Sequence, residues 1–400
     1  MKDDKILQDE LMTDDELDNV AGGTEIDPKV ADMLAKLGKI LSGTGEDIKP
    51  LKEAAESFWK RKIKTNLKKL FFEWVAYQIK NFSATVEIFF ENFCAIIQRI
   101  FMNEVIKMHF ASTVVRPPYE AQSMFLQVTS GCSHNACKFC TYYKDAKFSV
   151  SPIEEIKSDL QEIKDSGYIF PRIFLQGADS FILGFERLKK IIELIHEYLP
   201  FVKSVGGYGR VDNLKNKSAK QLEELHKLGY DRIVFGIESG DDIILEKMNK
   251  GYKSSDIVEQ LSKMTEAGMN YACIFLSGLG GKNYGLSHAE KTAEVLNKLT
   301  PFRVISSGLT LFPDTPLSED LREGKFFEAT EAERILELQT LIKNLEIKTI
   351  FDAENASMIT SPIYGNLPED KEFLIETLQK IFEKIGEKGL RNRRNSLMRI

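Results

Sequence analysis

The sequence predicts an α/β fold: a partial parallel (β/α)6 barrel with a helical appendage on its amino-terminal side. Three observations carry this. From Met124 onward, six short apolar runs alternate with helical patterns that have their own start and stop signals. Glycines and charged residues gather where those runs end. The loop after the first run holds three cysteines, Cys132, Cys137 and Cys140, and in barrels of this kind chemistry sits at the carboxyl ends of the strands.

Length and composition set the bounds. The 400 residues suffice for one large domain and an appendage. A net charge of −6 gives no electrostatic case for general nucleic-acid binding. Of the five cysteines, Cys94 and Cys273 lie outside the loop and far apart. That is not a disulfide framework, and a reducing cytoplasm is the natural compartment. No uninterrupted apolar run approaches a membrane span, and the acidic first residues do not resemble a secretory signal.

Residues 1–23 form an acidic segment in which Met12, Thr13, Glu16, Leu17, Val20 and Gly22-Gly23 fall in one register. It resembles the double-glycine leader of bacteriocins and other ribosomally made peptides. A short amphipathic helix would present Met12, Leu17 and Val20 to a groove, and the paired glycines would pass a peptidase cleft. The plain alternative is a frayed tail whose glycines end a helix. Residues 24–111 read as the helical appendage. Trp59, Ile63, Leu67, Leu70, Phe71 and Trp74 make a stripe among lysines, and 86–110 is dense in Phe and Ile. The appendage is expected to dock on itself, through that second helix, or on the main domain, with contact at a membrane surface the lesser reading.

The barrel is expected over 112–350, with 351–400 as a carboxyl-terminal extension. Its strands are read at 124–128, 172–175, 202–205, 232–237, 272–276 and 304–309. Ser151-Pro-Ile-Glu154 spells a capping box for a helix that Gly167 stops, and Ser218 to Gln221 opens another that Gly229 stops. Further helices are read at 188–199, 257–264 and 293–299. Thr330 to Glu333 caps one more, 349–351 is a further strand candidate, and 373–385 is a last helix before a solvated Arg391–Arg394 tail. His196 and His226 are expected at the surface and His288 beside a helix cap.

The cysteine loop carries the chemistry. Soft thiolates select zinc, copper(I) or iron–sulfur clusters. Three without a fourth suit a [4Fe–4S] cluster that keeps one iron open, whereas three plus His134 would suit structural zinc. The other strand ends supply Asp179, Arg210, Glu238 and Lys250 among glycines, a setting for a charged, ribose-bearing ligand.

With those residues in place, the chain resembles the radical S-adenosylmethionine (radical SAM) superfamily from 124 to 345. The likeness is strongest to the branch with oxygen-independent coproporphyrinogen oxidase and the methylthiotransferases. It implies that Cys132, Cys137 and Cys140 hold a [4Fe–4S] cluster whose open iron binds S-adenosyl-L-methionine (SAM). Four and then two residues separate the cysteines here, where the family usually has three and then two. The resemblance further implies that Phe139 lies near the adenine. Gly177-Ala178-Asp179 stands where the family's Gly-Gly-Glu holds the SAM amino group. Glu238 would contact the ribose, Lys250 and Arg210 the SAM carboxylate, and Gly278 and Leu279 the adenine.

The implied activity is reductive cleavage of SAM and hydrogen-atom abstraction from a substrate, fed by a low-potential donor of flavodoxin or ferredoxin type. The leader-like terminus links it to ribosomal peptides. A porphyrinogen- or lipid-like metabolite is the second expectation, and a leader-bearing secreted or interacting peptide carrier the third. Cys94 and Cys273 cannot furnish a second full cluster, and the region ahead of the barrel reads as helices instead of a cobalamin domain.

Overall fold

A computed structural model of the chain describes residues 108–360 and 362–397. The chain divides between Ile96 and Ile97, and every described residue belongs to the second unit. The leader-like segment, Cys94 and almost all of the 24–111 appendage lie outside the described residues.

Strand β1 (Met124–Gln127) runs directly into β2 (Thr129–Ser130), which pairs antiparallel with β3 (Ser149–Val150) and closes the base of the cysteine loop. There follow α1 (Ile153–Asp165), β4 (Arg172–Gln176), α2 (Phe185–Tyr198), β5 (Ser204–Gly209), α3 (Ala219–Lys227) and β6 (Ile233–Glu238). A short α4 (Asp242–Lys247) precedes α5 (Ser254–Glu266), β7 (Tyr271–Ser277), α6 (Gly285–Leu296) and β8 (Arg303–Gly308). Then come α7 (Pro316–Arg322), α8 (Glu331–Asn344), β9 (Thr349–Asp352), β10 (Tyr364–Leu367) and α9 (Lys371–Leu397).

Eight strands form one sheet in the order β1-β4-β5-β6-β7-β8-β9-β10. All neighbours are parallel except β9 and β10. The six expected strands are consecutive in it. The sheet then gains a seventh parallel strand at 349–352 and an antiparallel edge. Its edges, β1 and β10, are not paired with each other, so the barrel is partial.

Side chains on a strand alternate between two faces. On β4, Ile173 and Leu175 join the outer core against the helices, while Phe174 meets Val234, Ala272 and Ile305 in the lumen. Phe125, Tyr208 and Ile274 pack around that inner cluster. The rings of Phe174 and Tyr208 meet edge to face at 5.1 Å, worth about 0.5–1.5 kcal/mol beyond the area buried. At the amino ends of the strands, buried ion pairs seal the lumen: Arg172 forks onto Glu120, and Arg303 pairs with Asp352 through Nη1 alone, with the Tyr119 ring 4.3 Å away. Residues ahead of β1 cover its free edge. The Ala111 amide donates to Gln127 Oε1 at 2.7 Å, and Arg116 lies 4.9 Å over the Phe125 ring.

Several local expectations change. Ser151 makes no capping box, because its amide is tied to Val128 O at 3.0 Å beside β3, and α1 starts after Pro152 without a side-chain cap. Helix α6 begins at Gly285, well before 293, which carries His288 into the core with Nδ1 2.7 Å from Glu337 Oε1. His196 and His226 are half-buried, and His196 Nε2 donates to Leu228 O. Gly386 (φ 70°, ψ 169°) breaks α9 without ending it. The second half docks, so the Arg391–Arg394 stretch is not a solvated tail. Arg394 forks onto Glu331 at 2.7 and 2.9 Å, and Arg391 reaches Glu328 at 2.7 Å.

Burial works against the Glu331 charge, but Arg394, with Arg334 and Arg391 nearby, outweighs it and holds the carboxyl below its ordinary range. Breaking a buried ion pair leaves a charge uncompensated. Arg394→Met is therefore expected to cost about 3–5 kcal/mol in urea unfolding at pH 7, and Glu331→Gln with Arg394→Met less than that. A depressed carboxyl contributes stability above its unfolded value of 4.5 that is lost as pH falls through the folded value. The Arg394→Met penalty should shrink accordingly on acidification.

Candidate active site

The cysteine loop folds back over the carboxyl ends of the strands. Gly131 (φ 67°) starts it, and a Cβ there would stand 2.8 Å from Ala146 O, so only glycine lets the two arms approach. Three barrel units then hold the loop. From the end of β4, the Ala178 amide donates to Gly131 O at 3.2 Å, and Asp179 accepts from the Ser133 amide at 3.2 Å and from its hydroxyl. From the turn after α4, Met248 O accepts from the Lys138 amide at 3.1 Å, and Asn249 donates to Ala136 O at 3.1 Å. From α7, the Leu317 amide donates to Lys138 O at 3.0 Å, and Asp320 pairs with Lys138 Nζ at 2.7 Å.

The three thiols are close enough that Cys140 feels charge on both Cys137 and Cys132. Burial raises Cys132 and Cys140 above the ordinary thiol range. Cys137 differs. Burial opposes its ionisation, but a hydrogen bond with His134 and the charges of Lys250 and Arg210 outweigh that and lower it. His134 Nε2 donates to Asn249 O at 2.6 Å, and its ring also meets the Cys137 sulfur. Among the described residues, no three His, Cys, Asp or Glu side chains surround a single metal-ion position. A cluster is wider than an ion, and its corner thiolates stand further apart.

The charged rim residues assemble beside Cys137. Lys250, 4 % exposed, donates from Nζ to Gly236 O at 2.9 Å and lies 3.4 Å from Glu238 Oε1. The Phe139 ring is 5.9 Å from that ammonium. Arg210 forks onto Asp212 at 3.0 Å through both nitrogens and donates to Lys250 O at 2.7 Å. Glu238 ends β6 at φ 66°, a left-handed backbone uncommon for a side-chain-bearing residue and costly where it occurs. Asp179 is wholly buried and commits its carboxylate to Ser133. Gly177 (φ 120°) packs so tightly that a Cβ would stand 1.9 Å from Thr129 Oγ1.

The β7 turn is pinned from behind. Ser277 Oγ and the Gly278 amide both donate to Glu337 Oε2, at 2.7 and 2.6 Å, and Arg334 donates to Ser277 O at 3.0 Å. Leu279 then enters a second apolar cluster on which Phe139 packs. The structure thus brings Phe139 and Leu279 together, and Arg210, Glu238 and Lys250 together, around the three thiols. Sequence reasoning missed Asp212, Asn249 and Glu337. Only Asn249 carries a local signal, an Asn before Lys-Gly that adopts φ 54°.

Residues 126–296, from β1 through α6, match the family profile of the Radical SAM superfamily. The chain carries a radical SAM domain. It is 24% identical over 201 residues to the heme chaperone HemW of Bacillus subtilis, covering 48% of this chain and 52% of that protein. It is 22% identical over 233 residues to threonylcarbamoyladenosine tRNA methylthiotransferase MtaB of Thermotoga maritima, 56% of this chain and 51% of that protein. Among solved structures it resembles coproporphyrinogen III oxidase (HemN) from Escherichia coli, a radical SAM enzyme, with a TM-score of 0.44 at 14% identity, covering 56% of this chain and 52% of that one. The chain spans about half the length of these two curated relatives. The radical SAM superfamily uses a [4Fe–4S] cluster and SAM. The donor set fits that cluster: three thiols and no fourth on one loop, with two buried cations beside them.

Gly177→Ala should lower the thermal midpoint by several degrees, since both its backbone angle and its contacts exclude a side chain. It should also reduce the iron held after anaerobic reconstitution. Gly184→Ala is the control, because φ is −63° there and an added Cβ meets nothing within 4 Å.

Proposed function

We propose that the chain is a single-cluster radical SAM enzyme that acts on a peptide. The observation that carries this is the convergence of Cys132, Cys137 and Cys140 on one rim loop beside the buried charges of Lys250 and Arg210. Those three thiolates would hold the [4Fe–4S] cluster and leave one iron for SAM. Bound there, the cluster and SAM would supply reductive cleavage of SAM and hydrogen-atom abstraction from the substrate.

The chain's own residues bind, orient and exclude water. Lys250 and Arg210 offset the negative charge that thiolates bring into a buried site, and they would pair with the SAM carboxylate. Glu238, held at φ 66° with its carboxylate near Lys250, takes the ribose. Phe139, Gly278 and Leu279 give the adenine an apolar wall. Asp179 acts through Ser133 as a positioning residue, which leaves the Gly177-Ala178 backbone for the SAM amino group. A flavodoxin- or ferredoxin-type donor is the reductant. The described cysteines are all free, which suits a reducing cytoplasm. Among the described residues no helix is long and apolar enough to cross a membrane. The leader-like register from Met12 to Gly23 supports a ribosomal peptide as substrate.

Anaerobic reconstitution with iron and sulfide, followed by reduction with SAM, tests the reading. 5′-Deoxyadenosine should form, and Cys132→Ala, Cys137→Ala or Cys140→Ala should each abolish it and the iron–sulfur absorbance. Retention of zinc by the native chain in place of iron would sink the proposal. Rapid SAM cleavage with every co-expressed leader peptide left at its original mass would overturn the peptide assignment alone.

A further inference from the structure

The lumen holds a polar side chain that no other group among the described residues engages. Gln176 ends β4 and is 2 % exposed, yet neither Oε1 nor Nε2 has a hydrogen-bond partner among the described residues. Strand alternation puts it on the face of Phe174, inside the lumen, and not on that of Ile173 and Leu175. The register sets Gln127 of β1 beside it. Carried one residue past Leu175 and Gly207, the β4–β5 register sets Tyr208 on its other side. The neighbouring Thr129 hydroxyl, which crowds Gly177, is buried and unpartnered as well. Two orphan polar groups therefore flank the turn that leads to the cysteine loop.

Such groups are uncommon, because leaving one unpaired costs about 1–3 kcal/mol. The chemistry of the side chain says what would relieve the cost. A carboxamide presents an acceptor and a donor side by side. A carboxylate ligand would satisfy only the donor, and an ammonium only the acceptor. The N–H and C=O of one extended peptide residue, which point the same way, satisfy both. The walls around Gln176 agree with a neutral ligand: Phe174, Tyr208 and Ile274 are aromatic or aliphatic, and Glu238 and Lys250 already face each other at 3.4 Å.

We propose that Gln176 is a substrate-binding residue that reads peptide backbone, accepting from the N–H and donating to the C=O of one extended substrate residue and so fixing the substrate in the lumen. This deepens the peptide reading above and rests on it.

The test uses the full-length chain reconstituted anaerobically, titrated by ligand-observed NMR with N-acetylalanine N-methylamide and with O-acetyl-lactic acid N-methylamide, the ester that has an oxygen in place of the alanine N–H. The amide should bind the native protein about tenfold more tightly than the ester, the equivalent of one buried hydrogen bond. That ratio should fall to about one in Gln176→Leu and in Gln176→Met, which keep the bulk and lose the hydrogen bonds. Equal binding of the two probes to native protein overturns the proposal, as does binding of neither. So does a preserved ratio in either variant whose circular dichroism is native. Formation of 5′-deoxyadenosine is read separately. Its absence with an intact amide preference would remove the radical chemistry and leave this assignment standing.

Discussion

Everything at the rim depends on how the segment from Gly131 to Cys140 is tethered. A loop bearing buried thiols has little of its own to stabilise it, since the cysteines cannot form the apolar core that orders ordinary segments. Here the order comes from outside. The β4 turn, the turn after α4 and the start of α7 each contribute a main-chain hydrogen bond to the loop. Each such bond adds only about 1 kcal/mol net, but the three come from separate barrel units, so the loop keeps its position only when those units are assembled. Placement of the sulfurs is thereby linked to completion of the fold.

A second layer of charge supports the rim from behind. Glu337 receives the β7 turn and the His288 ring, Arg334 caps the Ser277 carbonyl, and Glu331 takes Arg394 from the last helix. Paired, such groups cost little, and a whole group left alone is expensive in a low-dielectric interior; His288 Nε2 and Arg334 Nε have no partner among the described residues. The carboxyl-terminal helix is in this sense part of the barrel wall and no mere appendix to it. Burial of Arg334, and after it the neighbouring Arg394 charge, lowers its pKa to about 10.

Much of this was legible in the sequence because it rests on short-range rules. The six strand–helix units follow from period and from stop signals such as Gly167 and Gly229, and Ser218 with Gln221 makes the expected capping box. The thiols, Arg210, Glu238 and Lys250 were legible as strand-end residues because parallel barrels gather such ends on one rim. What stayed hidden depends on distant partners. Nothing local says that Arg394 meets Glu331 or that His288 meets Glu337. A basic run near a helix end reads as solvated until its acid is known. The second half of α9 was missed because Gly386 carries the usual stop signal, while tertiary pairing beyond it restarts the helix. Gln176 reads as one more polar residue at a strand end, and only alternation against Phe174 shows that it points inward.

The tethers at Gly131 and Lys138 have one further implication. They join peptide groups, which every residue type provides, so they are indifferent to the side chains strung between the sulfurs. These two tethers would survive an inserted residue between Ser133 and Ala136, although Ser133 and His134 are held through their own side chains as well. An extra residue between the first two cysteines, as this chain has, is the kind of drift such an anchoring tolerates.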